Sequence, residues 1–437
     1  MATNSQSGTT PVTTDPAGHV TPTEIALHKV AAVDVPQGRH IALAYSGGLD
    51  STLCVKLAEF KYHARQLTAI NVDVGQGQEE IEMSTARALQ LGITPVTIDV
   101  KQEFTEQWLA KAIQANSDYN GYPVSTSMTR QLIAARVAQK ALELGCDAFM
   151  EGSTGKGNDQ YRMHNVFSLF APGLPIFVPV RDFDLTRSEE QLLMEHYGVP
   201  VEELIVGGDD KTMWCRSIAS GGIDLTTELP DDIWMWLVPP HKASATPTRL
   251  TLSWENGLPV ALNGEQLPLD QIIEQLNVIA GANGIGKIDL FEDGIMGLKS
   301  REIYEAPAAT LLLKVHRDLE QFCLTKEELQ LKRQLEARWA SMVYHGEWFH
   351  PLKEALDAFI ASTQKAVSGE YVVELYKGNI DIVSRSSQSG LFFPDVRSIK
   401  SASFNQKECA PAAHIRGLPY ELIARRNQLA GLSSEIH

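Results

Sequence analysis

The chain has 437 residues, 43% of them apolar and 21% charged, a balance typical of globular proteins that excludes disorder along its whole length. At roughly 100–200 residues per domain, the length predicts two or three cores. The net charge of −16, from Lys+Arg 38 against Asp+Glu 54, argues against a nucleic-acid partner or an anionic membrane surface, and no stretch reaches the roughly 20 apolar residues of a membrane span.

Residues 1–24 are rich in Thr, Ser, Pro and Gly and contain no Lys or Arg. A secretory signal or a transit peptide needs basic residues, so the segment reads as a disordered arm. Residues 1–38 form this arm or leader, with Ile25–Val35 packing on the first domain or leading into it. From Arg39 the texture alternates between strand and helix. Ile41–Tyr45, Leu67–Asp73, Pro95–Val100, Asp147–Met150 and Pro175–Val180 read as strands. Between them, the stretches from Leu53 to Phe60, Glu79 to Leu91, Phe104 to Ala115 and Ser127 to Leu144 read as helices. The alternation predicts an α/β fold, a doubly wound and mainly parallel sheet over 39–206.

Pro-rich sequence over Leu229–Thr248 suggests a domain crossing. Arg249–Trp254 and Pro259–Leu262 flank a hairpin turn, as do Glu370–Tyr376 and Ile380–Ser384. Helical patterns cover Gln271–Leu276, Ala308–Phe322, Lys326–Tyr344 and Pro351–Val367. Strands and helices without strict alternation predict an α+β domain over 207–412. The segment 413–437 is left as an oligomerisation element or tail, with a closing helix over His414–Gly431. Five widely spaced cysteines lack any CxxC pairing and read as reduced thiols rather than metal or redox ligands.

The densest motif, Ala44-Tyr45-Ser46-Gly47-Gly48-Leu49-Asp50-Ser51-Thr52, lies where the first strand turns into a helix. Adjacent glycines let the backbone approach an anion, and the amides opening the helix can hold phosphate. Ser46, Ser51 and Thr52 add hydroxyls, and Asp50 can orient them or hold Mg²⁺ through water. The string is neither GxxxxGKS nor GxGxxG, which disfavours P-loop NTPases and dinucleotide dehydrogenases. A second string, Glu151 to Arg162 (EGSTGKGNDQYR), follows the strand ending at Met150 and so lies at the same sheet edge. Its glycines expose amides while Thr154, Asn158, Asp159 and Arg162 converge polar groups; a plain solvated loop has a similar composition.

SGGLDS after a first strand resembles the pyrophosphate-loop ATP pyrophosphatases. With VDVGQ, YPVSTSMTR, TGKGNDQ, CRSIASGGI, PVALNG, LNVIAGANGIGKID and MGLKSREIYEAPA in that order, the chain from about Arg39 to Ala424 resembles the argininosuccinate synthetase family. The resemblance implies an ATP pyrophosphatase-type nucleotide-binding domain over 39–206 and a synthetase domain after it. It implies an ATP-dependent C–N ligase. The ureido oxygen of citrulline attacks the α-phosphorus, pyrophosphate leaves, and the aspartate amine then displaces AMP. ATP and Mg²⁺ are the implied cofactors, with a cytoplasmic homotetramer and no protein-ligated metal.

Carried over by position, Ala44 through Thr52, Val72 and Gly152 match nucleotide contacts. Thr154, Asn158 and Asp159 match aspartate contacts. Tyr122, Ser127, Asn158, Arg162, Ser217, Glu292 and Tyr304 match citrulline contacts. Ser46, Asp50, Asn158 and Arg162 are expected at the reacting centre, with Lys156 assigned to developing phosphate charge by chemistry. Departures are Gly208 for a usual Ser, Thr212 for Asn, Ala219 for Glu, Asn283 for His, and Lys287 and Gly294 for Arg. They leave open a paralogue that couples aspartate to another ureido, amide or carboxylate acceptor. A silent homologue is disfavoured by the retained Ser46, Gly47, Gly48, Asp50 and Asn158.

Overall fold

The computed structural model describes residues 20–200, 210–221, 225–226, 228–398 and 400–432. The first sheet comprises β1 (His40–Ala44), β2 (Gln66–Asp73), β3 (Val96–Asp99), β4 (Ala148–Met150) and β5 (Ile176–Phe177). All pairings are parallel, in the order β3-β2-β1-β4-β5. Strands buried on both faces need apolar residues at every position, and β1 meets this. Ile41 and Leu43 point into one core with Leu53, Leu57 and Leu193, while Ala42 faces a second core with Phe104, Trp108, Leu132 and Val137.

Strand order reverses between β1 and β4, because the chain runs outward to β3 and then returns. The crevice at such a reversal, at the carboxyl ends of the strands, is where open α/β sheets hold ligands. Both glycine-rich strings emerge there, one after β1 and one after β4. Only Ile176–Phe177 of the expected fifth strand pairs. Pro179 opens a short helix, Pro179–Asp182, instead, since a proline fixed near φ −65° and lacking an N–H suits the first helical position. The helix expected over Phe104–Ala115 begins earlier and holds a π-helical stretch, Phe104–Leu109, between Lys101–Glu103 and Ala110–Gln114. At this stretch the Trp108 ring stacks on Trp348 at 3.7 Å.

Beyond the first sheet come β6 (Asp210–Lys211), β7 (Arg216–Gly221), β8 (Thr248–Glu255), β9 (Leu258–Leu262), β10 (Glu265–Gln266), β11 (Lys287–Asp293), β12 (Lys299–Glu305), β13 (Gly369–Tyr376) and β14 (Asn379–Ser386). They form two antiparallel sheets, β11-β12-β7-β6 and β10-β9-β8-β13-β14. The first of these was not expected. Its strands carry charged residues at many positions, as in KIDLFED and KSREIYE. Helices Leu269–Ala282, Pro307–Cys323, Lys326–Tyr344 and Pro351–Gln364 complete this part.

Residues 22–32 form a helix, Pro22–Ala32, opened by a Thr21/Glu24 capping box, and it buries Ala26 and Val30 in the core that holds Leu53 and Leu193. Tertiary contacts divide the chain into one unit over 1–389 and another over 390–437. The second contains the helix Cys409–Leu429, which has no buried residue and carries Pro419 inside it. Among the described residues no helix is long and apolar enough to cross a membrane, and the five cysteines are free.

Candidate active site

The turn after β1 leaves bare amides at a helix start, a geometry able to hold an anion. Ala44 ends the strand, and the buried Tyr45 continues its ladder by donating to Ile70 O at 2.9 Å. Gly47 has φ +77°, and a Cβ there would lie 2.7 Å from Ser84 Cα and Cβ, so only glycine fits. Arg87 Nη1 donates to Gly47 O at 2.8 Å, which fixes the peptide. Gly48 caps the helix Leu49–Phe60 without a side chain, leaving first-turn amides that lack an intrahelical acceptor. Ser46 Oγ takes the Gly48 amide at 3.3 Å and contacts Ser51 Oγ at 3.2 Å. Ser51 and Thr52 are buried in the first turn, and Asp50, half-buried, carries the charge there, paired with Arg187. Val72 is buried near the end of β2, with its carbonyl accepting from Gln76 Nε2 at 3.2 Å.

The loop after β4 starts against this turn. A Cβ on Gly152 would lie 3.0 Å from the Asp50 backbone and 3.1 Å from Ser51 N. Glu151 is 2% exposed; one carboxyl oxygen accepts the Ser153 amide at 2.6 Å and the other has no partner. Burial pushes its pKa up to about 7, against the Ser153 bonds. Thr154 is half-buried and Lys156 exposed. Asn158 then crosses to another element, donating to Tyr344 Oη at 3.1 Å and accepting Ile295 N at 2.9 Å.

Asp159 opens the helix Asp159–Phe170 and sits between two guanidiniums, Arg130 Nε at 2.8 Å and Arg162 Nη1 at 2.9 Å. Burial raises its pKa, but the two cations outweigh this and hold it below the usual carboxylate range. Arg130 also reaches Asp210 at 2.6 Å. Arg162, 4% exposed, donates Nε to Tyr344 O at 2.9 Å and lies 4.8 Å from the Tyr344 ring centroid.

The cluster around Glu292 is aromatic and acidic. Glu292 on β11, 3% exposed, accepts from Tyr304 Oη at 2.6 Å and from Tyr344 Oη at 2.8 Å. Burial pushes its pKa up, although both hydroxyls oppose this. Tyr304 on β12 stacks with Tyr122 at 4.5 Å, and Ser217 on β7 is its register partner. Tyr122 Oη bonds Thr126 Oγ1 at 2.8 Å. Ser127 is fully buried, and its hydroxyl has no partner among the described residues, a donor left for something else.

Asn158, Arg162, Glu292 and Tyr304 are thus joined in one network through Tyr344, a residue the sequence reading missed. Tyr344 ends the helix Lys326–Tyr344, far along the chain and outside any string that signalled chemistry. Tyr119, stacked on Tyr344 at 3.8 Å, and Arg130 were missed as well, although Arg130 lies inside the quoted YPVSTSMTR.

Among the departures, Gly208 lies outside the described residues, as does the Ala219 side chain. Thr212 Oγ1 staples a turn, accepting the Trp214 and Cys215 amides at 3.0 and 3.2 Å. Asn283 is a helix cap tied to Ile279 O and Thr248. Lys287 Nζ lies 5.1 Å from the Trp234 ring. Gly294 borders the network: a Cβ there would lie 3.2 Å from Asn158 Oδ1.

Residues 40–200 match the family model of the argininosuccinate synthase N-terminal HUP domain, and residues 208–423 match that of the C-terminal domain. The argininosuccinate synthase of Methanopyrus kandleri is 41% identical over 392 residues, covering 88% of this chain and 99% of that protein. That of Pyrobaculum aerophilum is 45% identical over 355 residues, 80% of this chain and 89% of the relative. That of Pyrococcus furiosus is 40% identical over 400 residues, 90% and 96% respectively. With the strand reversal, the glycine turn and both halves of the chain matched, the protein belongs to the argininosuccinate synthase family.

Proposed function

We propose that the protein condenses citrulline with aspartate while ATP is cleaved to AMP and pyrophosphate. The observation that carries this reading is the loop 151–159. One end packs against the nucleotide turn at Asp50, and the other reaches Tyr344 and Ile295 beside Glu292. A single segment therefore spans the two places where phosphate and acceptor must meet. The names of the matched relatives do not favour a paralogue with another acceptor.

In this reading Ala44 through Thr52 and Gly152 receive the triphosphate, and Val72 flanks the base. Glu292 pairs with the citrulline ammonium, and Tyr122, Ser127, Ser217 and Tyr304 shape that pocket. Thr154, Asn158 and Asp159 hold aspartate. Arg162 and Asn158 lie where the ureido oxygen is activated, and Lys156 meets charge developing on phosphate. A neutral ureido oxygen is a poor leaving group, so adenylation supplies the activation and the protein supplies alignment and charge stabilisation. Mg²⁺ would enter as the companion of the triphosphate. The exposed apolar residues of the helix Cys409–Leu429, Ile415 and Leu422 among them, support assembly into a homotetramer.

The test is an AMP and pyrophosphate release assay with aspartate and a panel of acceptors. Citrulline-dependent AMP release with argininosuccinate formed is the expected result. Turnover only with another ureido, amide or carboxylate compound would replace citrulline in this reading, and no turnover with any would end it.

A further inference from the structure

The nucleotide turn is gripped by residues outside the motif that defines it. Arg187, the first residue of the helix Arg187–His196, pairs its guanidinium with the Asp50 carboxylate. One turn on, Glu190 is 1% exposed and faces the same carboxylate. Burial, and then the Asp50 charge, push Glu190 up to about 9, so near neutrality it keeps a proton that it can offer to Asp50, and its Oε2 has no hydrogen-bond partner among the described residues. Asp50 is therefore paired with a cation and faced by a neutral acid, without two anions opposed. The buried Cys54 thiol lies among the same groups, and burial followed by the charges of Glu151, Asp50 and Glu190 keeps it protonated.

The helix Arg187–His196 is held in turn by the helix Pro22–Ala32. Lys29 Nζ donates to Asp184 O at 2.7 Å and pairs with Glu189 at 2.9 Å. Glu189 also closes the capping box that starts the helix at Thr186. Ala26 and Val30 share one buried cluster with Leu49, Leu53, Leu193 and Met194. The amino-terminal helix precedes residue 40, where the family match begins, so the match assigns it no role.

We infer that the helices Pro22–Ala32 and Arg187–His196 form a brace that sets the position of Asp50 in the nucleotide turn, with Arg187 and Glu190 as positioning residues and Lys29 as the tie between the helices. The inference rests on reading that turn as the ATP site. A polyphosphate arriving beside Asp50 meets a like charge. A carboxylate engaged by Arg187 and Glu190 offers that charge in one direction only, whereas a released one is free to swing towards the phosphates.

The test uses the full-length chain with ATP varied at saturating citrulline and aspartate, and thermal melting of every variant. Arg187→Met is expected to raise the ATP KM about fivefold, the upper end for an ion pair whose members are 52% and 33% exposed. The citrulline and aspartate KM values should stay within about twofold. Lys29→Met should move the ATP KM in the same direction by about threefold, as for a partly exposed ion pair, and Lys29→Arg should restore it. Glu190→Gln, which keeps a donor for Asp50, should match the wild-type ATP KM, whereas Glu190→Ala should not. Equal rises in all three KM values, or lower melting temperatures with the ATP KM unmoved, would overturn the brace. If the unaltered chain makes no argininosuccinate, the functional reading fails separately, and calorimetric ATP binding by the same variants still decides the brace.

Discussion

At Gly47 the requirement for glycine has two sources, the positive φ and the contact with Ser84. Helix backbone cannot retreat as a flexible side chain can, so Gly47→Ala is expected to lower kcat/KM for ATP by about 100-fold or more. Steady-state kinetics with ATP varied would read this directly, and a near-normal value would contradict the role given to the turn. Asp159 lies between Arg130 and Arg162. Asp159→Ala should chiefly raise the aspartate KM, by roughly 10- to 100-fold, and an unchanged aspartate dependence would remove it from the substrate site. Glu151 provides a test by pH. Its pKa rises from an ordinary 4.5 to about 7 in the fold. Below the lower value both folded and unfolded chains carry the proton. As pH climbs through 7 the unfolded chain has already ionised while the folded one pays for a buried charge, so stability falls over that window by on the order of 3 kcal/mol. Glu151→Gln should therefore melt higher than the wild type at pH 8 and about equally at pH 4.5.

At the scale of elements, strand order places both glycine-rich loops, and antiparallel hairpins deliver the acceptor residues. Glu292 and Tyr304 come from neighbouring strands, β11 and β12, and Tyr344 comes from the end of a long helix. That helix starts with a full capping box, in which Thr325 Oγ1 takes the Glu328 amide at 3.3 Å and Glu328 takes the Thr325 amide at 2.8 Å. Thr325→Ala should cost about 1 kcal/mol of unfolding free energy, measured by denaturant titration. The citrulline KM should not change, because the cap and Tyr344 are at opposite ends of the helix.

For the whole molecule, the two units differ in how they bury apolar surface. The first, 1–389, holds the buried clusters on both faces of the parallel sheet. The second, 390–437, leaves Phe392, Phe393, Ile415, Tyr420 and Leu422 more than half exposed. Exposed apolar groups at this density mark an interaction surface. A chain ending at Ser389 should elute from a sizing column as a smaller species than the full chain, and an unchanged assembly would show that the interface lies elsewhere.

The glycine turn, the parallel sheet and the loop 151–159 were legible along the chain because local chemistry specifies them: apolar strands buried on both faces, glycines where the backbone turns tightly, and a helix beginning at once. The hairpins at Arg249–Leu262 and Glu370–Ser384 were legible for a similar reason, since turn residues between alternating strands leave few other conformations. The strands β11 and β12 were not, because charged side chains such as Glu292 and Glu305 are buried there with the help of partners far away in sequence, Tyr344 beside Tyr304 for one and Arg216 for the other. Tyr344, Arg130 and Arg187 gain their meaning in the same way. Periodicity reports what a segment does to its own neighbours, whereas a network assembled across more than a hundred residues exists only once packing has brought its members to hydrogen-bonding distance.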